Sequence, residues 1–383
     1  MKDWARPRFA SVNRFTRGWA QQGAEMEMRK SCRHVSALAL LFGVTLGNSA
    51  QAHEKWLIPG PEVKRLAGEE LPGPFRSFWP EIAMALGAAA ALFGVAVAAD
   101  RVLRRRKVGE AACRRLLGFR KVAPPIIGFA VGAVLIAAGA TRTFLAPDLH
   151  LSDVSPAALA TGLAAAQIAI GSCFVAGLYT RPAAVALLIL WAPGAALFGF
   201  RAWIDYVDFA GFATFLALCG RGALSLDALR GCPAPSSAAQ RTSVAALRLA
   251  LGANLAILAL NDKLMNPLVS MRLVADYHLN FTRFFGPLAF PDDRFVLAAF
   301  AVELAVGLIV ALGAMTRLVS VVVFVLLTNT YFIFGFQELL GHLPILASGV
   351  ALLFMGTGGR WRIAGNAERM GMAEEQPFIA TTP

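Results

Sequence analysis

Stretches of about 20 apolar residues recur along this chain, and a soluble fold has no way to bury so many of them. A bilayer core about 30 Å thick needs roughly 20 apolar helical residues to cross it. Nine segments meet that need, at about 78–99, 123–141, 157–179, 183–200, 204–220, 243–261, 294–314, 318–337 and 343–357. With 57% hydrophobic and only 16% charged residues, the composition agrees. The expected class is an all-α polytopic membrane protein in contact with the lipid bilayer.

The 36 Lys and Arg against 24 Asp and Glu give a net charge of +12, which in a soluble protein would point to nucleic acid. Here the basic residues lie in short loops between apolar spans, so membrane topology accounts for them and no nucleic-acid partner is expected. The densest run is RVLRRRK at 101–107, followed by Arg114, Arg115, Arg120 and Lys121. Placed in the cytoplasm, it puts Arg181, Arg221, Arg230, Arg241, Arg317, Arg360, Arg362 and Arg369 on the same side. The C-terminus is then cytoplasmic and the mature N-terminus lies outside.

Residues 28–52 read as a secretory signal. Arg29, Lys30 and Arg33 form its basic region, Val35 to Val44 its apolar stretch, and Ala50-Gln51-Ala52 a small-x-small cleavage pattern. Translation starting at Met28 and an uncleaved signal anchor are both open.

The chain also repeats itself. Gly171, Gly177, Thr180, Arg181, Phe198, Gly199, Phe200 and Gly220 recur 136 residues on, as Gly307, Gly313, Thr316, Arg317, Phe334, Gly335, Phe336 and Gly356. The opening helix of each half matches at an offset of 120, with 135–147 against 255–267, so the second half carries 16 more residues after it. That insertion holds Tyr277, His278, Phe281, Phe284, Phe285 and Phe290, as interfacial anchors or as a loop covering a ligand. The expected organisation is an N-terminal extension and signal (1–52), then an external segment, one extra helix and a basic loop (53–118). Two parallel-repeat four-helix units (119–222 and 243–360) follow, joined by a flexible linker (223–242) and ending in a tail (361–383).

Charged side chains inside a span cost about 2.5–3.5 kcal/mol on insertion scales, so they are the first functional candidates. They are Arg248 and Glu303 in the second unit. Gln167 holds the place of Glu303 in the first, and Gly128 that of Arg248. Glu303 lies roughly 13 Å deep, and the gap to Arg248 is about 8 Å at 1.5 Å per residue, within reach of an extended Arg side chain. An Arg248–Glu303 pair is expected, either as a clasp between helices or as a titratable proton or substrate site. Asp262 and Lys263, at the end of the second unit's first helix, are expected to snorkel to the headgroups or to bind a quinone or anionic headgroup. Arg181 and Arg317, after Thr180 and Thr316 in Gly-x-x-Thr-Arg turns, set topology and cap the turn. The repeated glycines are expected to permit close helix packing.

The five cysteines form no C-x-x-C pair and none lies in an external loop, which argues against disulfide staples and thiol redox chemistry. His53, at the predicted mature N-terminus, offers an α-amino group and an imidazole that suit Cu(II), with His150, His278 and His342 on the same side. No phosphate loop, nucleophile elbow or paired-carboxylate site is present, so no catalytic residue is assigned and enzymatic activity is left open.

Val302-Glu303-Leu304-Ala305-Val306-Gly307, continued by Gly313 and Thr316-Arg317, resembles the Glu-x-x-x-Gly helix and Gly-x-x-Thr-Arg turn of the DoxX-like (DoxX/DoxD) family. Arg248, Lys263-Leu264 and Pro267 match further features of that family, so the second unit looks like a typical member over about 115 residues. The first unit keeps Gly171, Gly177, Thr180 and Arg181 but has Gln167 for the Glu and lacks the Lys-Leu pair. The resemblance implies a doubled four-helix bundle of the bacterial inner membrane that serves as membrane subunit or anchor of a quinone-linked oxidoreductase complex. Quinone would be its ligand and an oxidoreductase subunit its partner. From the residues alone, a small-solute or proton-coupled transporter and a copper-handling protein remain open.

Overall fold

The computed structural model describes residues 57, 58, 60–76 and 80–363. The signal region and His53 lie outside the described residues. Seven described segments are long and apolar enough to cross a bilayer: Glu81–Arg105, Arg120–Ala140, Ala157–Ala176, Thr180–Phe198, Ser237–Leu264, Asp292–Leu312 and Thr316–Phe334. The chain is therefore a helical, multi-pass membrane protein. The segments expected at 204–220 and 343–357 form the shorter apolar helices Val207–Cys219 and Gly341–Met355.

The long helices are α1 (Glu81–Arg105), α2 (Ala123–Ala140), α3 (Ala157–Ala176), α4 (Thr180–Trp191), α5 (Val207–Cys219), α6 (Ser237–Leu258), α7 (Asp292–Leu312), α8 (Thr316–Phe334) and α9 (Phe336–Met355). α4 resumes as Gly194–Phe198 beyond Pro193, whose ring interrupts the helical ladder. α6 starts at Ser237, inside the expected linker, because the Ser236 side chain accepts a hydrogen bond from Ala239 N at 3.2 Å and caps it. One small hairpin departs from the all-α expectation: β1 (Thr143–Phe144) against β2 (Ala146–His150).

The Gly-x-x-Thr-Arg segments form the same turn in both halves. α3 ends at Gly177 (φ 65°) and α7 at Gly313 (φ 71°). Leu178 N donates to Cys173 O at 3.0 Å, and Ala314 N to Ile309 O at 3.1 Å. This is a Schellman closure, which needs a residue at positive φ and therefore favours glycine.

Close packing follows from absent side chains. A Cβ on Gly132 would lie 2.7 Å from Gly171 O, and one on Gly171 2.6 Å from Gly132 O, so α2 and α3 meet backbone to backbone. A Cβ on Gly252 would lie 2.5 Å from Gly307 O, and one on Gly307 2.7 Å from Gly252 O, which sets α6 against α7 in the same way. These two glycine pairs stand at the offsets of 120 and 136 at which the sequence matches itself.

The last helix of each half packs more on the opening helix of the other half than on its own: α5 on α6, and α9 on α2. Val131, Leu135, Phe212, Phe215, Leu247, Leu251 and Leu352 fill the core these helices share. α1 packs along α7. At that end of α7, Ile58, Leu66 and Phe75 from the segment before α1 join Leu273 and Phe295 in a second apolar cluster.

Candidate functional site

Glu303, midway along α7, pairs with Lys263, with Nζ and Oε2 2.7 Å apart. The Lys263 side chain is 2% exposed and the Glu303 side chain 23%, so the ammonium is enclosed and the glutamate side chain is the less buried of the two. Val302, the adjacent residue on α7, is an exposed apolar side chain. Lys263 points inward because α6 ends in a wide turn, Ala259–Leu264, in which Met265 N reaches back five residues to Leu260 O at 3.0 Å. Such a turn inserts one residue and rotates those that follow. Asp262, 4% exposed, is buried with it.

Two expectations are corrected here. Asp262 and Lys263 do not snorkel to a surface. Arg248 is not the partner of Glu303: the Gly252–Gly307 contact brings Arg248 level with Gly313, ten residues along α7 from Glu303, or about 15 Å. Counting from span ends gives about 8 Å instead, because span ends do not fix the register of α6 against α7.

Gln167 occupies the corresponding place in the first half and is fully buried. Its Nε2 donates to Thr143 O at 2.9 Å, and its Oε1 accepts from Leu145 N at 2.7 Å. Thr143 stands 120 residues before Lys263. Both halves thus tie the middle of the third or seventh helix to the end of the helix before it, through a neutral amide in one and an ion pair in the other.

Several polar residues that sequence reasoning passed over surround the wide turn. Asn261 Nδ2 donates to Asp205 Oδ1 at 2.6 Å, Asn254 Nδ2 to Asp205 O at 2.5 Å, and Ser270 Oγ to Asp262 O at 3.0 Å. Tyr206 donates its hydroxyl to Asp148. Asp205 and Tyr206 precede α5, so this network crosses from the first half to the second. The signal available in sequence was an Asp-Tyr pair opening an otherwise apolar segment, with Asn254 and Asn261 seven apart on α6.

Arg248 is fully buried at the other end of α7, where Nη2 donates to Arg360 O at 3.1 Å and to Trp361 O at 2.8 Å. A Cβ on Gly313 would fall 1.6 Å from its Nη1. The first half has not lost this cation: Arg221, from the segment after α5, lies 3.2 Å (Cγ) from a Cβ placed on Gly128 and 2.8 Å (Cδ) from one on Gly177. Each half therefore sets a guanidinium against the carbonyl end of its third or seventh helix, where the helix dipole favours positive charge.

The adjacent turns are held by carboxylates from different places. In the first half, Asp227 accepts from Tyr179 N and Thr180 N, each at 2.8 Å. In the second, Asp100 of α1 accepts from Met315 N at 3.0 Å and pairs with Arg104 at 2.7 Å and Arg362 at 3.6 Å. Thr180 and Thr316 are both buried in these turns. Arg181 and Arg317 bond outside them: Arg181 Nη2 to Pro233 O at 3.1 Å, and Arg317 Nε to Leu353 O at 3.0 Å.

Burial pushes the Asp227 carboxyl up, but the N–H groups of Thr180 and Tyr179 outweigh it and hold it below its ordinary value. A depressed carboxyl contributes stability above its unfolded value, about 3.9, and loses it as pH falls through the folded value. Asp227→Asn should cost about 0.5–2 kcal/mol at neutral pH, as for a lost cap. Thermal unfolding of the two proteins should differ by a constant amount down to about pH 4 and converge below it.

His150 and His278 are exposed and His342 is buried at the start of α9. No cluster of three metal-ligating side chains occurs among the described residues. The cysteines at 113, 173, 219 and 232 are free thiols. Compared with known proteins, the chain matches no family model, no curated protein and no solved structure.

Proposed function

We propose that this protein is a tandem DoxX-like membrane protein with nine crossings. It serves as the membrane subunit of a quinone-linked oxidoreductase of the bacterial inner membrane, with its mature N-terminus periplasmic and its C-terminus cytoplasmic. The matching glycine contacts and turns of the two halves support the duplication.

The observation that carries the functional reading is the Lys263–Glu303 ion pair within the span, with the ammonium enclosed and the glutamate side chain partly exposed on a helix whose adjacent residue, Val302, is an exposed apolar side chain. A quinone reaches such a site through the bilayer. Lys263 Nζ is the donor for one quinone carbonyl oxygen, and Glu303 passes protons to the reduced ring. Quinone reduction takes two electrons and two protons, and the partner subunit supplies the electrons. Gln167 has no titratable proton, so the first half serves as scaffold.

A charge-assisted hydrogen bond contributes roughly 1.5–3 kcal/mol, so Lys263→Met and Glu303→Gln should each weaken binding of a short-chain ubiquinone by about tenfold or more. The measurement is a titration of the purified protein in lipid nanodiscs. Arg248→Lys should leave the affinity unchanged. Equal affinity in all three variants, or no binding by the wild type, removes the reading.

The transporter reading rests on the paired bundles and the mid-membrane carboxylate, with one helix broken at Pro193-Gly194, but the centre between α2, α5, α6 and α9 is filled by Phe212, Phe215 and their neighbours. The copper reading depends on His53.

A further inference from the structure

The insertion after α6 presents most of its rings outward and turns Asn280 and Thr282 inward. Asn280 Nδ2 donates to Phe290 O and Asp292 Oδ1, both at 2.8 Å, and Phe290 N donates to Thr282 Oγ1 at 3.0 Å. Arg283 Nη2 reaches Asp292 Oδ2 at 2.7 Å. Phe281 anchors the loop inward, with its ring edge-on to Phe295 at 5.5 Å. Outside lie four large apolar side chains and one cation: Phe284 is 86% exposed and Leu288 75%, Phe285 and Phe290 are also exposed, and the Arg283 side chain beside them is 55% exposed. A loop standing in water would be expected to do the reverse.

The level of this loop along the helices is set by its contacts. Arg294 in the first turn of α7 pairs with Glu81 in the first turn of α1 at 3.6 Å, so two membrane-length helices begin there together. Tyr277, where the insertion opens, packs edge-on against Phe334 at the end of α8, with ring centroids 4.7 Å apart. Beside Phe334, Phe332 is 75% exposed on the same helix. These contacts set residues 277–295 at the level of the end of α8, where the charged first turns of α1 and α7 meet apolar spans. Aromatic side chains concentrate at that depth.

We infer that residues 281–290 form an interfacial anchor whose occupant is the headgroup–acyl boundary of the bilayer, with Phe284, Phe285 and Leu288 inserted below the headgroups. Interfacial elements of this kind bury their apolar face about 5–10 Å into that boundary. The loop then fixes the tilt and depth of α7, and with them the depth of Glu303.

The test is electron paramagnetic resonance on single spin labels at Phe284→Cys and Leu288→Cys, in a chain whose native cysteines are replaced by serine, reconstituted in phosphatidylcholine/phosphatidylglycerol vesicles. Both labels should show a higher oxygen-to-nickel collision ratio than a label at the exposed Cys232 position. A ratio equal to that reference places the loop in water and overturns the inference. Protection from both reagents, or dipolar broadening between copies, assigns the surface to protein and overturns it equally. If the cysteine-free chain does not fold, Phe284→Trp in the native chain should lose more emission than its parent in vesicles of dibrominated phosphatidylcholine. No added quenching overturns the inference.

Discussion

Glu303→Leu is expected to destabilise the folded protein by about 3–5 kcal/mol, the range found when one member of a buried ion pair is removed. The loss arises from the partner left behind. Lys263 has a side chain 2% exposed and would keep its charge only by remaining unsolvated. Lys263→Met should cost somewhat less, because the Glu303 side chain is the less buried of the two. The double variant Lys263→Met/Glu303→Leu should recover most of either loss, since two apolar side chains can fill the same space without desolvated charge. Reversible unfolding in detergent micelles, run as a double-mutant cycle, measures the coupling. If the two single losses simply add in the double variant, the pair is not a unit and the site loses its basis.

The second large effect lies at the helix crossings. Gly307→Val should disrupt the α6–α7 contact, because the added carbon would meet Gly252 O and Ala256 N at 2.7 Å and neither backbone atom can turn aside. Overpacking commonly costs about 1–3 kcal/mol, and a backbone collision belongs at or above the top of that range. Gly171→Val should do the same at α2–α3, where the carbon would meet Gly132 O at 2.6 Å. Gly162→Ala on α3 is the control, with nothing within 4 Å of its added carbon. It should be neutral or stabilising by up to about 1 kcal/mol, through helix propensity. Thermal unfolding of the three variants tests the order, and a destabilised Gly162→Ala beside an intact Gly307→Val would refute the packing account.

Much of the frame is legible from residues alone. Apolar run length finds the membrane-length helices, and the Gly-x-x-Thr-Arg spacing finds turns that the structure closes in the same way twice. The glycines at 171 and 307 were expected to permit close packing, and they do. Lys263 and Gln167 stand out in the sequence as polar groups near or within apolar spans, but nothing in the sequence shows that Lys263 turns inward and that it, not Arg248, meets Glu303. Arg221 reads in the sequence as a loop charge, and only the structure shows its side chain beside Gly128 and Gly177, as Arg248 lies beside Gly313 in the other half.

Sequence by itself determined what depends on a residue and its near neighbours: which segments are apolar enough to span, where a helix must stop at a left-handed glycine, and where two backbones can touch. Only the tertiary structure decided which distant groups meet. Helix register places Arg248 about 15 Å from Glu303. One wide turn settles the direction of Lys263, since each residue of a helix turns the next by about 100° and a single inserted residue carries the following side chains to another face. The exchange of closing helices, α5 onto α6 and α9 onto α2, likewise depends on contacts between the halves, and a repeat read along the chain says nothing about which copy a helix will pack against.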